Sequence, residues 1–113
     1  MIIDSFKPGT IVIDGRNFSQ DLIVLPQHII HPWYRQDSFI VRLIDIKEIF
    51  AIEPKILVVG NGNSGIMQVD EEVMKECESK SIKLLIQNTP KACLTFNKMI
   101  KEEPKTAGCF HLT

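Results

Sequence analysis

Three short apolar runs in the second half of the chain alternate with two amphipathic segments, and this alternation restricts the fold more than any other feature. The runs cover residues 55–59, 82–86 and 106–112, and the segments between them begin at Asp70 and Thr89. The order strand, helix, strand, helix, strand predicts a parallel sheet with right-handed connections. The run at 55–59 shows no polar alternation, which is typical of a strand buried on both faces.

The first third of the chain predicts antiparallel strands. Residues 10–14 are rich in β-branched side chains and lead into Asp14-Gly15, a dipeptide typical of tight hairpin turns. A second strand is predicted over residues 18–25. A short third strand over residues 28–33 contains a proline, which places it at a sheet edge or makes the proline its end.

Three helices are predicted from their start signals. Asp45, with Glu48 three residues later, forms a capping box. Asp70 begins the second helix, and Thr89 caps the third with Pro90 at the first position, where no N–H is needed. The residues predicted to face inward from the second and third helices are Val73, Met74, Cys77, Ala92, Cys93, Phe96, Met99 and Ile100.

These elements predict one α/β domain over residues 1–113, built on a mixed central sheet. The 13 Lys and Arg residues and 14 Asp and Glu residues leave a net charge of −1, without the basic excess of nucleic-acid-binding proteins. No apolar run approaches the ~18–20 residues that span a bilayer, so we expect no membrane partner. Residues 1–9 lack the apolar centre of a signal peptide, and we expect a cytoplasmic protein.

The cysteines predict neither a disulfide framework nor a metal site. Cys77, Cys93 and Cys109 are odd in number and form no Cys-x-x-Cys pair, so we expect reduced, buried thiols. An alternative hypothesis makes Cys93 the nucleophile of an enzyme. His28 and His31 have no carboxylate to join them, so we predict no metal and no cofactor.

The segment 60–65 reads Gly-Asn-Gly-Asn-Ser-Gly directly after a predicted strand. This spacing matches a dinucleotide fingerprint, but the next helix begins only at Asp70, whereas the fingerprint opens its helix inside the motif. Two interpretations stay open: a sharp turn that needs glycine, or a small-ligand or anion site shared with the next loop along the sheet. The candidate ligand-binding residues are Gly60, Gly62, Gly65, Asn88, Thr89 and Asn97.

Trp33, Tyr34 and Arg35 form the one aromatic cluster that includes an arginine. Exposed residues of these types are typical anchors of protein interfaces, so they are the candidate partner-binding residues. The alternative is a buried tryptophan with the aliphatic part of the arginine packed beside it.

The whole chain resembles a small family of single-domain α/β proteins, a domain of unknown function. The family includes a mammalian adipogenesis-associated protein and a mitochondrial complex I assembly factor. The resemblance is carried by residues 21–24 leading to Trp33 and Arg35, by the helix start at Asp45, and by residues 56–62, 88–97 and 108–113. The most specific of these stretches is 88–97, where the family shows a threonine, two residues, an alanine and then an aromatic-asparagine pair. The family's Gly-Arg after the third helix is absent here, so a role of that arginine passes to Lys105.

The resemblance implies three layers: a central mixed sheet, helices on one face and a small antiparallel β layer on the other. It brings no enzymatic activity, and it implies an assembly, scaffold or regulatory role with a small pocket near the Gly60 loop. We therefore expect a non-enzymatic domain acting through a protein partner or as a homodimer. Ligand binding by the glycine-rich loop is the alternative.

Overall fold

The computed structural model describes all of residues 1–113. It contains ten strands, three α-helices and one 3-10 helix. The strands are β1 (Ile3–Lys7), β2 (Thr10–Ile13), β3 (Arg16–Phe18), β4 (Leu22–Val24), β5 (Ile29–Ile30), β6 (Ile40–Val41), β7 (Ile56–Asn61), β8 (Gln68–Val69), β9 (Lys83–Gln87) and β10 (Thr106–His111). The helices are the 3-10 helix (Leu43–Ile46), α1 (Lys47–Ala51), α2 (Glu71–Ser79) and α3 (Thr89–Glu102).

Five strands form the central sheet in the order β5-β4-β10-β7-β9. β10, β7 and β9 run parallel, whereas β4 and β5 run antiparallel to their neighbours. The predicted α/β class with a mixed sheet is therefore confirmed. β1, β2 and β3 form a separate antiparallel sheet, and β6 and β8 form a short parallel pair.

A hydrophobic core lies on each face of the central sheet. Along β7, Leu57 and Val59 enter one core and Val58 enters the other, as expected of a strand without polar alternation. The first core also takes Ile49 of α1 and Val73 of α2. The second core is formed with α3 and with the three-stranded sheet.

The placement of α3 refines the layers that the resemblance implies. α1 and α2 cover one face, but α3 shares the other face with the small β layer. The reason is the direction of the connections: α2 leads from β7 outward to β9, and α3 leads from β9 back across β7 to β10. Because both crossovers are expected to be right-handed, reversing their direction places the helices on opposite faces.

Three strand predictions are corrected. The predicted strand 18–25 is two strands, because the chain leaves the small sheet after Phe18 and enters the central sheet at Leu22. β1 was not predicted, because Asp4 and Ser5 interrupt its apolar character. The strand predicted over residues 28–33 is shorter, since β5 ends at Ile30, and it lies at the sheet edge, which is one of the two positions left open.

Three details of the helices are also corrected. Asp45 lies inside the 3-10 helix, where its Oδ2 accepts a hydrogen bond from the backbone N–H of Arg42 at 2.8 Å. The N-cap of α3 is Asn88 rather than Thr89, because its Oδ1 accepts the N–H of Lys91 at 3.1 Å. Met74 is exposed rather than inward-facing. No helix has the length and apolar character needed to cross a bilayer.

Candidate functional site

The loops after β7 and β9 lie at one edge of the central sheet, where its three parallel strands end. We call this the carboxyl edge. The Thr89 hydroxyl, fully buried there, donates to the carbonyl oxygen of His111 at 2.6 Å and accepts the N–H of Gly62 at 2.9 Å. The N–H of Thr89 donates in turn to the carbonyl oxygen of Gly62 at 3.0 Å. Thr89 therefore joins the glycine-rich loop, the start of α3 and the end of β10.

The glycines of this loop have structural reasons to be glycine. A Cβ on Gly60 would lie 2.9 Å from the Phe110 ring and 3.0 Å from the Thr89 hydroxyl oxygen, so only glycine fits there. Gly62 and Gly65 have φ of +107° and +74°, values that other residues rarely adopt. The loop leads into β8, and α2 begins with Asp70 as its N-cap, so no helix opens at the glycines as the dinucleotide fingerprint requires.

Asn97 does not join the other candidate ligand-binding residues. It lies nine residues after Asn88 on α3, about 13 Å along the helix axis. Its Oδ1 accepts the N–H of Ile3 and its Nδ2 donates to the carbonyl oxygen of Ile3, both at 2.8 Å. The side chain of Asn97 therefore connects α3 to β1.

Asp21, Arg35 and His111 form a buried polar cluster at the carboxyl edge. Oδ2 of Asp21 accepts from Nδ1 of His111 at 2.7 Å and from Nη2 of Arg35 at 2.9 Å. Oδ1 of Asp21 accepts the N–H of Leu112 at 2.8 Å. Nη2 of Arg35 also donates to the carbonyl oxygen of Ser38 at 2.7 Å. Both carboxylate oxygens of Asp21 are therefore engaged within the protein.

Hydrogen bonds keep the Asp21 carboxyl ionised. Burial acts to raise its pKa, but the bonds from His111, from the N–H of Leu112 and from Arg35 together outweigh burial, so the pKa lies below its usual value of 3.8. Because an ionised carboxylate only accepts, Nδ1 of His111 is the nitrogen that carries the proton, and the Nε2 side of the ring faces Thr113.

The structure separates the three candidate partner-binding residues. Trp33 is buried, and its indole N–H donates to the carbonyl oxygen of Asp45 at 2.9 Å. The Arg35 guanidinium stacks on the Trp33 ring at 4.3 Å, and only 4% of the Arg35 side chain is exposed. Tyr34 between them points outward and is 78% exposed. Of these three residues, only Tyr34 is exposed enough to contact a partner protein.

Two adjoining cavities open at this edge, with volumes of about 380 and 170 Å³. Phe39, His111 and Thr113 line both of them. The first, which we call the Arg35 crevice, is lined among others by Asp21, Pro32, Trp33, Arg35, Phe39 and His111. The second is lined by the glycine-rich loop at Gly62 and Ser64.

A larger cavity of about 580 Å³ lies at the opposite edge of the sheet. Lys55, Lys80 and Lys105 line it, together with Glu53. The structure thus places Lys105, to which the resemblance passed the role of the family's arginine, away from the carboxyl edge. No buried polar atom without a partner lies among these residues, in contrast to the Arg35 crevice.

The three thiols are free and buried, as predicted. Burial raises the pKa of Cys77 to about 11 and those of Cys93 and Cys109 to about 12. A thiol with such a pKa is almost wholly protonated at neutral pH, which does not favour the Cys93 nucleophile hypothesis. No group of three His, Cys, Asp or Glu side chains is arranged to hold a metal ion.

From the sequence, Arg35 was either a surface anchor or a residue packed beside a buried tryptophan, and Asp21 was not among the candidate site residues. Asp21 and His111 are 90 residues apart, and no local motif connects them. One signal was available: Asp21 lies at the start of β4 and His111 at the end of β10, and antiparallel neighbours bring such ends together. Reading that signal requires the strand order, which a single sequence does not give.

The fold and this edge together define a small α/β domain with a mixed five-stranded sheet and a polar crevice where its parallel strands end. The chain belongs to the family described as protein of unknown function (DUF498/DUF598), whose model matches residues 3–111. The curated relatives are named NADH dehydrogenase [ubiquinone] 1 alpha subcomplex assembly factor 3. The protein of Danio rerio is 29% identical over 109 residues, which cover 95% of this chain and 62% of that protein. The protein of Homo sapiens is 27% identical over 110 residues, covering 90% and 55%.

This chain therefore spans between about half and two thirds of the length of these relatives. Solved structures share the fold along nearly all of the chain. The conserved hypothetical protein PH1505 of Pyrococcus horikoshii OT3 is 20% identical with a TM-score of 0.79, covering 100% of this chain and 99% of that one. XCC1710 of Xanthomonas campestris is 14% identical with a TM-score of 0.80, covering 97% and 83%.

Proposed function

We propose that this chain is a non-enzymatic domain that acts through contacts with other proteins, in an assembly, scaffold or regulatory role. Its curated relatives are named as assembly factors, and the matches cover 88 to 96% of this chain. The portion of those proteins that resembles this chain therefore corresponds to nearly the whole domain described above. Such a role requires a surface on which a partner can dock.

Three exposed apolar side chains around the carboxyl edge are the observation that supports this role most directly. Tyr34, Phe39 and Ile66 are 78%, 54% and 60% exposed, and we call them the contact surface. Phe39 lines the Arg35 crevice with Tyr34 and lines the neighbouring cavity with Ile66, so the three side chains surround one region. Aromatic side chains beside a pocket are typical interface anchors. We propose a protein partner with an apolar patch that covers this surface.

The test compares native complexes in the organism that encodes the chain. The tagged chain, a variant with Tyr34→Ser, Phe39→Ser and Ile66→Ser, and a control with Leu94→Ser are each expressed from the native locus. Leu94 is 72% exposed and lies on α3, outside both cavities. We expect the chain and the control to migrate in a complex well above the 12.9 kDa of the monomer, and the triple variant to migrate alone.

Mass spectrometry of the complex then identifies the partner, and subunits of NADH dehydrogenase are the first candidates because of the relatives' name. A chain that migrates alone in its own cells would contradict the proposal, as would a triple variant that stays in the complex. Light scattering of the purified chain separates a homodimer from a complex with another protein. We place this function in the cytoplasm, which fractionation of the same cells checks.

Ligand binding by the glycine-rich loop remains a separate prediction with less support. The N–H of Gly62 and the hydroxyl of Thr89 bond to each other and are not free for a ligand. Asn88 caps α3, and Asn97 bonds to β1. The residues that sequence analysis assigned to a ligand are thus largely engaged inside the protein.

A further inference from the structure

We propose that the Arg35 crevice binds a small carboxylic acid, as its carboxylate, through unused N–H groups of the Arg35 guanidinium. This site is distinct from the glycine-rich loop and does not depend on the contact surface having a protein partner. The inference rests on three features of the crevice: the hydrogen bonding of Arg35, the engagement of Asp21, and the size and walls of the cavity.

Arg35 is buried but only partly satisfied. All of its polar contacts within the protein are made by Nη2, which donates to Asp21 and to the carbonyl oxygen of Ser38 and lies 3.4 Å from Nδ1 of His111. Nε and Nη1 are buried and have no partner among the protein's atoms. A guanidinium carries five N–H bonds, of which Nε and Nη1 hold three. Buried donors without acceptors are rare in folded proteins, so an acceptor from outside the chain is the natural complement.

The guanidinium is also held in position. It stacks on the Trp33 ring at 4.3 Å, and the N–H of Trp33 donates to the carbonyl oxygen of Asp21 at 2.8 Å, which ties this segment to the start of β4. The side chain therefore needs little reordering when a ligand binds, and a planar, permanently charged group of this kind is well suited to carboxylates.

Asp21 sets the expected strength of binding. Its carboxylate already balances the charge of Arg35, and both of its oxygens are engaged by His111, Arg35 and Leu112. A ligand carboxylate is then held by hydrogen bonds to Nε and Nη1 more than by net charge. For a fragment-sized acid we expect a Kd of the order of millimolar.

The cavity restricts the body of the ligand. Its volume of about 380 Å³ is near the lower end for small-molecule sites, and Pro32, Trp33 and Phe39 give it apolar walls. These walls fit an acid with one ring or a short branched chain. Because Nε and Nη1 lie below the surface, a ligand reaches them when a wall side chain moves, and Phe39, which is half exposed, is the side chain we expect to move.

The test follows the Arg35 Nε–H signal by nuclear magnetic resonance while benzoate is added to the purified chain. Benzamide, with sodium chloride to match ionic strength, is the neutral control. We expect the Arg35 signal to shift and saturate with benzoate, and benzamide to bind at least about tenfold more weakly. The Nε–H of Arg16, which stacks on Phe18 at 5.0 Å at the other sheet, is the internal control and stays unchanged.

Variants separate a specific site from general effects of the anion. Arg35→Gln abolishes saturable benzoate binding, and Arg16→Gln leaves it intact. If Arg35→Gln does not fold, the response of the Arg35 Nε–H signal to benzoate and to benzamide in the unaltered chain still tests the proposal. An Arg35 signal that does not move up to about 50 mM benzoate overturns the proposal. So does an equal response to benzamide, or an equal shift at Arg16.

Discussion

A single atom of Thr89 joins three elements of the carboxyl edge, and replacing it is the sharpest residue-scale test of that edge. Thr89→Val keeps the shape but leaves the N–H of Gly62 and the carbonyl of His111 without their partner. We expect the free energy of unfolding to fall by about 2–3 kcal/mol, because buried groups lose hydrogen bonds. Thr89→Ser keeps the hydroxyl and loses only a methyl group, so about 1 kcal/mol is expected. Equal losses in urea unfolding of the two variants would contradict this role.

Asp21 gives a prediction about pH. Its pKa is lower in the folded chain than in the unfolded chain, so its contribution to stability is complete above the unfolded pKa of about 3.8 and is lost as the pH falls through the folded pKa. Asp21→Asn removes this contribution at every pH. We expect the variant to be about 2–3 kcal/mol less stable at pH 7, and the gap from the unaltered chain to narrow below about pH 4.

Urea unfolding measured from pH 7 down to pH 2.5 checks the prediction for Asp21. Glu78→Gln on the exposed face of α2 is the matched control, since its side chain makes no ion pair, and it should change stability by less than about 0.5 kcal/mol. A gap that stays constant below pH 4 would show that the carboxylate is not held by its partners in the way described.

Residues of the candidate site were predictable only where their positions after predicted neighbouring strands already implied that they meet. Thr89 and Gly62 follow neighbouring parallel strands, so their meeting at one edge was expected from the strand pattern. For Arg35 the sequence left open a surface anchor or packing beside a buried Trp33, because it does not reveal the Asp21 carboxylate that neutralises the buried guanidinium. A charged side chain is buried only when it has a partner of opposite charge, and the partner of Arg35 is 14 positions earlier in the chain, just before β4.

At the scale of elements, Asn97 is the contact that tests how β1 is held. The oxygen and the nitrogen of its side-chain amide both bond to the backbone of Ile3, at 2.8 Å each. Asn97→Ala is expected to lower the free energy of unfolding by about 1–2 kcal/mol and to speed hydrogen exchange of the Ile3 amide about tenfold. Lys98→Ala, one position further on the exposed side of α3, is the control and should change neither quantity. Unchanged exchange at Ile3 would mean that the β1–β2 pairing alone holds the strand.

The elements of the second half were predictable, and their arrangement was predictable only in part. The runs at β7, β9 and β10 and the faces of α2 and α3 follow from local periodicity. The face on which α3 packs depends on β10 lying beyond β7, on the side away from β9, and local sequence carries no record of that order. β1 is missed for another reason, because its pairing with β2 compensates for a weak strand pattern.

The whole molecule is organised so that its two cores share one sheet. In β10, Ala107 and Cys109 pack in one core, while Phe110 packs in the other together with Leu112, which directly follows the strand. Neither core can therefore open without disturbing β10. A domain of this size with such a shared element is expected to unfold in one cooperative transition.

The cysteines report this cooperativity, because one lies in each layer. Cys77 is on α2, Cys109 is in the central sheet and Cys93 is on α3, and all three are buried. With pKa values of about 11, 12 and 12 and at most 6% of each residue exposed, none should react quickly with a thiol reagent in the folded chain at pH 8. Brief labelling at increasing urea, read by mass spectrometry of peptides, should give one midpoint for the three thiols, equal to that from circular dichroism. Labelling of Cys77 or Cys93 at a lower urea concentration than the other thiols would show that its helix opens separately. Fast labelling of Cys93 without urea would restore the hypothesis of a reactive thiol, because only an accessible thiolate reacts under those conditions.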